Sequence, residues 1–536
     1  MLALRFTPGA RPALTAARLG SLRPRTLHTT SRPRTDAETQ PAPPAAGPTP
    51  SEASPAGSKT SVNPLRPIID VKGIRNAPDV YAANCMARNY HKCGGYPARI
   101  ASLHHKRLAM RPKLSLLRTR AHSLQAELRS LPAAERPAAA ERARDAKKLL
   151  VAHLRDERAL DDEIERMALA LPNLTSRETP RDTPRELAVL NPAPPAASAD
   201  GPAPDPLAAQ SRSHVDIGAA LGILDFAASA LTSGWGFYYL VGAGAQLEHA
   251  LVQYALAEAA RGGWTQVAVP SMVYAHIGSA CGFQPRDAHD EQQVYAIEQH
   301  VTAKQRAAAA AAGVGAAPPA RPQLVLAGTA EIPLAGMRAN ATLSAAQLPL
   351  RHVSVSRSFR AEAGARGQDT KGLYRVHEFT KVELFAWTRP DGGAATRVFD
   401  DMVALQQRVL GGLGLRCRVL EMPASDLGAS AARKIDIEAM FPSRRDLPKT
   451  DGGWGELSSA SICTDYQTRR LRTRVKLENG AVGFPHTVNG TALAVPRVIA
   501  AILETHWDEA TQSVAIPDVL RPYMGGKTHI TAEKTA

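Results

Sequence analysis

The sequence predicts an α+β protein: an N-terminal antiparallel helical hairpin, a coiled-coil arm, followed by a domain built on a mainly antiparallel β-sheet flanked by helices. Three observations carry this. Met110, Leu114, Leu117, Ala121, Leu124, Leu128 and Leu131 are spaced 4, 3, 4, 3, 4, 3, a heptad seam. Beyond about Ser213, several short β-rich runs follow one another without an intervening helix. No G-x-x-x-x-G-K-S/T or G-x-G-x-x-G element stands at a strand-to-helix turn, so a nucleotide would be held by neither a P-loop nor a Rossmann crevice. The 536 residues, 44% hydrophobic and 21% charged, have room for several folded units and exclude wholesale disorder.

Residues 1–34 hold seven arginines and no acid, with Asp36 the first acidic residue. This Arg-rich, acid-poor composition reads as a cleavable mitochondrial presequence and predicts a protein of the mitochondrial matrix; a disordered basic tail is the alternative. Its removal takes the net charge from +15 to +8, because 15 minus seven arginines leaves eight. Residues 35–62, rich in Pro, Ala, Ser and Gly without periodicity, read as a disordered linker.

An arm domain is expected over 63–175. The first seam is interrupted at Pro132 and Pro137, and a second follows at Leu150, Leu160, Ile164, Met167 and Leu171, weakened in its middle by His153 and Glu157. Two such helices joined by a short turn fold back on each other and project about 50 Å. Between Arg99 and Arg166 there are sixteen Lys or Arg against ten acids, the acids gathering after Asp156. That basic finger is either a solvated coiled-coil surface or a binding arm for a nucleic-acid backbone. Residues 176–212 read as a Pro/Ala-rich connector, most clearly over 191–210.

The second domain is expected over 213–530. An amphipathic stretch at 245–261 precedes β-rich runs at 266–269, 323–326, 352–355, 381–387 and 416–420, and the alanine-rich block 301–322 reads as a surface insertion. Residues 227–247 lack any charge and are long enough to span a bilayer, but Gly234, Gly236, Gly242 and Gly244 break them. They predict a buried strand at F-Y-Y-L-V (237–241) between turns and no membrane insertion. Five cysteines without a C-x-x-C pair exclude a disulfide-framed secreted domain. Cys85, His91 and Cys93 lie close together, but no second ligand pair follows and no zinc is expected.

The chemistry concentrates in three segments. In 356–387 a strand ending at Phe359-Arg360 enters a Gly-rich basic loop and returns through 376–384. Arginine's planar fork suits phosphate, so Arg360, Glu362, Arg375 and Phe379 form either a nucleotide clamp or an ordinary solvated hairpin. Residues 453–470 (G-W-G-E-L-S-S-A-S-I-C-T-D-Y-Q-T-R-R) place Glu456 before two serines, where a carboxylate can hold Mg²⁺ against phosphates. Residues 486–505 run from a strand through Asn489-Gly490 into a helix bearing Arg497, which can balance charge on a leaving pyrophosphate.

Taken together, F-R-A-E-A-G, H-E-F-T-K-V-E, E-L-S-S-x-S with D-Y-Q-T-R-R, and N-G-T-A-L-A resemble motifs 2 and 3 of class II aminoacyl-tRNA synthetases, and in detail the seryl-tRNA synthetase family. G-T-A-E-I-P-L (328–334) is similar to that family's serine-binding loop, I-P-D-V-L-R-P-Y-M-G-G (516–526) to its C-terminal tail, and 263–270 to the end of motif 1. The resemblance spans about 63–530. It implies a catalytic domain of class II type, a homodimer, tRNA(Ser) bound by the basic arm, and L-serine and ATP as substrates with Mg²⁺.

The resemblance also implies residue roles. Thr329 and Glu331 would contact the substrate amino group, and Glu383 and Thr491 its side chain. Arg360 would bind the α-phosphate and carboxylate, with Arg375 a second phosphate contact and Val376 at the nucleotide. Glu362 would read the adenine amino group, and Phe379 would stack on adenine with Arg497 on its other side. Glu456 and Ser459 would meet the metal and the nucleotide. Arg360, Glu456 and Arg497 are thus the implied catalytic residues. Two positions depart from the family's glycines, Ala492 and Pro496, and both are expected to narrow the pocket floor. A catalytically lapsed RNA-binding relative and an adenylating ligase with a carrier-protein acceptor are the competing readings.

Overall fold

The computed structural model describes residues 66–193, 205, 207, 210–283, 293–300, 322–361, 372–448 and 451–532. The expected presequence, the whole of the expected linker, residues 301–321 of the expected insertion, and Glu362 lie outside them.

Helices α1 (Tyr96–Ser130) and α2 (Arg136–Ala170) form the arm and turn back through Pro132, each 35 residues long. Leu114 and Leu117 of α1 are buried, and α2 answers with Ala139, Ala146, Ile164 and Met167. The second seam therefore starts earlier than its leucines suggest, on two alanines. It continues through half-buried His153 and Glu157, which keep the heptad positions that their polarity obscures. At the arm's base Ile100, Leu103, Ile164, Met167 and Leu171 pack with Ile74, Cys85 and Cys93, so both cysteines are core residues there.

The connector expected over 176–212 is not wholly a connector. Residues Arg185–Leu190 form strand β1, at one edge of the main sheet. Farther on, the fork of Arg416 holds Asp205 at 2.6 and 2.7 Å, and that hydrogen bonding keeps the Asp205 carboxyl down at about 2. The uncharged stretch is corrected more sharply. It holds a helix, Phe226–Thr232, and only a two-residue strand, Tyr239–Leu240. Leu231 is 93% exposed, Trp235 55% and Val241 47%, while Tyr238 and Leu240 pack against the core. No helix among the described residues is long and apolar enough to cross a membrane.

Helix α3 (Ala243–Arg261) leads into strand β2 (Thr265–Gln266), and the short helix α4 (Glu331–Gly336) precedes the long strands β3 (Leu350–Phe359) and β4 (Glu378–Thr388). Helix α5 (Gly392–Gly412) is followed by β5 (Cys417–Glu421), β6 (Arg433–Met440), β7 (Trp454–Thr464), β8 (His486–Ala494) and helix α6 (Val495–Thr505). The eight strands are ordered β1-β5-β6-β7-β8-β4-β3-β2. Every pair is antiparallel except β2 with β3, as the helix-free succession of runs predicts.

Period-two alternation places the core. Val382, Leu384 and Ala386 of β4 join Leu247 and Leu251 of α3, Phe399 and Met402 of α5, and Val498 and Ile502 of α6 in one cluster. The intervening Phe379, Lys381 and Glu383 face the other way, into a cavity.

Candidate active site

The cavity has a volume of about 520 Å³. Strand β4 supplies Phe379, Lys381 and Glu383 from one face, and antiparallel β8 sets Thr491 opposite Glu383. That pairing depends on a β-bulge. Val382 pairs with Leu493 but Glu383 with Thr491, so Ala492 is the extra residue. Ala492 is fully buried in the hydrophobic cluster, and its methyl does not narrow the pocket as expected. Pro496 does line the cavity, in the first turn of α6, where the missing N–H of proline costs the helix nothing.

A second bulge builds the opposite wall. On β7, Ser458 pairs with Ile437 and Glu456 with Glu438, leaving Leu457 extra. Residues three apart on a regular strand point to opposite faces; the bulge lets Glu456 and Ser459 both reach the cavity. Buried Gln406 of α5 ties the two bulged strands together, its Nε2 donating to the Ser459 carbonyl (2.8 Å) and the Thr491 carbonyl (2.9 Å). Gly490 makes room for this: a Cβ there would lie 2.7 Å from the Ser459 oxygen and 2.9 Å from Gln406 Nε2.

At the amino-acid end, Thr329 and Glu331 come from the turn into α4. Both are buried, and the Thr329 hydroxyl accepts from the Glu331 backbone N–H at 3.3 Å. Gln467 Nε2 donates to Glu331 Oε1 (2.6 Å) and is itself oriented by the Thr487 hydroxyl, which donates to its Oε1 at 2.6 Å. Across the cavity the Thr491 hydroxyl donates to Glu383 Oε2 at 3.2 Å, and Lys381 Nζ lies 2.7 Å from the same oxygen. Burial, and then the Glu383 charge, push the Glu331 carboxyl up to about 8, against the pull of Lys381, Gln467 and Arg360.

At the nucleotide end, Arg360 follows the last residue of β3. Its N–H donates to the His377 carbonyl at 2.8 Å, and its guanidinium lies 5.3 Å above the Phe379 ring. Arg497 lines the same cavity. Its guanidinium rests 4.6 Å over Tyr374, with Nε donating to the Tyr374 carbonyl and Nη1 to the Glu456 carbonyl, each at 2.9 Å. Val376 is buried and Arg375 exposed, and both line the cavity. Burial opposes ionisation of Glu456, but the charges of Lys434, Arg497 and Arg360 outweigh it and hold the carboxyl down. Its neighbour Asp436 is pushed up by burial despite Lys434 at 2.5 Å.

Thus every described residue expected at the site lines one cavity: Thr329, Glu331, Arg360, Arg375, Val376, Phe379, Glu383, Glu456, Ser459, Thr491 and Arg497. Sequence reasoning missed Lys381, Lys434, Tyr374, Gln406 and Gln467. For Lys381 a signal existed, because it stands between Phe379 and Glu383 at the strand period of two. Lys434, Gln406 and Gln467 reach the site from other elements, and no local pattern marks them.

The wall nearest the arm is shared. Buried Arg88 reaches the Asn173 carbonyl (2.5 Å) and the carbonyls of Leu427 and Gly428, while Asn173 Nδ2 donates to Ser430 O (2.8 Å) and Cys463 O (2.9 Å). Tyr90, Gly428 and Ser430 all line the cavity.

Comparison with known proteins agrees with this arrangement. Residues 319–506 match the class II tRNA synthetase core domain of the G, H, P, S and T type. The chain is 39% identical over 390 residues to the mitochondrial serine--tRNA ligase of Saccharomyces cerevisiae, covering 72% of this chain and 78% of that one. It is 33% identical over 461 residues to the serine--tRNA ligase of Rubrobacter xylanophilus, covering 85% and 98%. Among solved structures, the seryl-tRNA synthetase of Pyrococcus horikoshii complexed with ATP superposes with a TM-score of 0.70 at 28% identity, over 87% of this chain and 100% of that one. A sheet of this topology, a cavity bearing the motif residues and relatives matched over most of their length have one common explanation: the chain belongs to the serine--tRNA ligase family of class II aminoacyl-tRNA synthetases.

Proposed function

We propose that the protein activates L-serine with ATP to seryl-adenylate and transfers the seryl group to the 3'-terminal adenosine of tRNA(Ser), serving mitochondrial translation. One observation carries this reading above the rest. A small carboxylate–hydroxyl pair, Glu383 with Thr491, shares a cavity with three arginines and an ionised glutamate suited to phosphates.

The chemistry needs no protein nucleophile. A serine carboxylate oxygen attacks the α-phosphorus in line and pyrophosphate leaves; a ribose hydroxyl of the tRNA then attacks the acyl carbonyl and AMP leaves. Catalysis is positioning plus charge stabilisation. Glu331 and Thr329 take the ammonium, Arg360 the carboxylate and α-phosphate, Phe379 the adenine face, and Arg497 the charge on the departing pyrophosphate. Arg375 and Val376 border the nucleotide. A site built around a substrate hydroxyl discriminates strongly against alanine, which leaves its polar groups unpaired, and threonine is excluded by size.

Glu456, with Ser459 beside it, fits Mg²⁺. The carboxyl is held ionised, and its Oε1 has no hydrogen-bond partner among the described residues, leaving a hard oxygen donor. When bound, the ion would neutralise phosphate charge.

For the arm, Lys106, Arg111, Lys113, Arg120, Arg129, Lys147, Lys148 and Arg155 are exposed and form no ion pair among the described residues. Arg99 and Arg107 pair with Glu163 and Asp161 toward the base, and farther out Arg118 pairs with Glu157 and Arg142 with Glu127. Unneutralised charge along the outer arm supports tRNA backbone binding through it. The outward-facing Leu231, Trp235, Tyr239 and Val241 supply the apolar area a homodimer contact requires. The Arg-rich N-terminus and the mitochondrial relatives support delivery to the matrix.

The test is serine-dependent ATP–pyrophosphate exchange, with alanine, threonine and glycine as controls. Exchange with serine alone is expected. No exchange with any of the four, from folded protein, would replace this reading with that of a catalytically lapsed RNA-binding relative.

A further inference from the structure

The amino-acid end of the cavity contains a charge for which the roles above have no use. Lys381 is almost wholly buried, although a lysine pays a large desolvation cost unless its ammonium is needed where it lies. Its Nζ is 2.7 Å from Glu383 Oε2 and 3.4 Å from the Thr491 hydroxyl oxygen, the two groups assigned to the substrate side chain. An ammonium has three donors. These contacts occupy two, and because Lys381 lines the cavity the third remains for a bound group.

Glu383 shows the complementary arrangement. Oε2 takes Lys381 and Thr491, while Oε1 has no hydrogen-bond partner among the described residues. A hydroxyl group both donates and accepts. The pocket therefore presents one acceptor, Glu383 Oε1, and one remaining donor, on Lys381, side by side.

We propose that Lys381 is a specificity-determining residue of the amino-acid pocket, fixing Glu383 through one oxygen and donating to the hydroxyl oxygen of the bound amino acid. The proposal rests on the reading of Glu383 and Thr491 as the serine side-chain site. It also accounts for the charge balance. Once amino-acid binding has expelled the Glu331 proton, Glu331 and Glu383 bring two negative charges to the buried pocket and Lys381 one positive charge, so the ammonium of the bound amino acid completes neutrality. Without Lys381, the pocket would hold two carboxylates against one incoming ammonium, and an amino acid without a hydroxyl would be disfavoured less.

The experiment is ATP–pyrophosphate exchange on the full chain with serine and with alanine, comparing wild type, Lys381→Met, Lys381→Arg and Glu383→Gln. Lys381→Met is expected to raise KM for serine with KM for ATP unchanged, and to lower the serine-to-alanine ratio of kcat/KM at least about tenfold. Lys381→Arg keeps the charge but replaces a point donor by a planar fork, so its ratio should fall between the two and keep the proposal testable if the Met variant does not fold. A second readout is the acid limb of kcat/KM for serine, which reports ionisations of the free enzyme. It should move to higher pH in Lys381→Met and return in Lys381→Arg, because the ammonium that opposes protonation of Glu331 is removed and restored, with Gln467 and Arg360 unaltered. A merely structural lysine would lower serine and alanine exchange alike, and that result would overturn the proposal. A changed ratio in Glu383→Gln with none in either lysine variant would overturn the role of Lys381 alone. An unchanged ratio in Glu383→Gln as well would overturn the underlying assignment of the pocket.

Discussion

The arm and the cavity are built by opposite strategies. The arm is made from consecutive residues: two helices, one seam of alternating three- and four-residue steps, and a base of aliphatic side chains. The cavity draws Glu331, Glu383, Glu456 and Thr491 from separated segments and aligns them with two β-bulges. In the arm, each helical turn repeats the preceding one and a single side chain matters little. In the cavity no contact is repeated, so one side chain can carry a whole step.

The contrast breaks most visibly at Arg360. Arg360→Ala should lower ATP–pyrophosphate exchange by about 10³-fold while leaving the thermal midpoint unchanged, the scale expected for loss of one preorganised charge-stabilising donor. Exchange at the wild-type rate would remove Arg360 from the reaction. The arm should show the reverse pattern. Replacing 105–160 by a short Gly/Ser turn keeps Ile100, Leu103, Ile164 and Met167 in the base. It should leave serine exchange intact and lower charging of tRNA(Ser) about 10²-fold, with the salt dependence of tRNA binding flattened. Full charging by that variant would mean that the tRNA is held elsewhere.

Smaller effects sharpen the comparison. Gln406 touches no substrate but ties the carbonyls of Ser459 and Thr491, so Gln406→Leu should lower kcat/KM for serine about tenfold through misplacement alone. An effect confined to stability would show that the bulges hold without it. The pH dependence follows from Glu331, whose carboxyl is raised to about 8 by burial and by Glu383. An ammonium requires the ionised form, so serine binding must expel a proton below that pH and weakens as pH falls. KM for serine should therefore rise about fivefold from pH 8 to pH 7. A flat profile across that interval would show Glu331 already ionised.

The same contrast explains what the sequence made legible. The arm could be read almost residue by residue because its period is local, and the error lay only at Ala139 and Ala146, too small to register as seam positions. In the sheet, the long strands and their antiparallel order were readable. The use of Arg185–Leu190 as an edge strand inside an expected connector was not, since pairing with Cys417–Glu421 depends on a distant partner. The 237–241 run misled for another reason. Tyr238 and Leu240 pack on the core but Tyr239 and Val241 face outward, and an unbroken apolar run does not say which of its two faces is covered. The site residues were found through family resemblance, which fixes identities but not bulges. Ala492 was therefore expected at the pocket floor and lies instead in the core, and the Tyr374 ring beneath the Arg497 guanidinium was not foreseen.

The seam of the arm carries one more consequence, concerning length. Because its base is fastened to the cavity wall through Arg88 and Asn173, the near end is fixed and only the far end can be repositioned. Seven residues added to each helix preserve the seam and extend the tip by about 10 Å. Any other matched insertion turns the tip about the arm's axis and carries its cations to a different side. The arm thus behaves as a ruler with fixed graduations, whose reach changes in whole heptads.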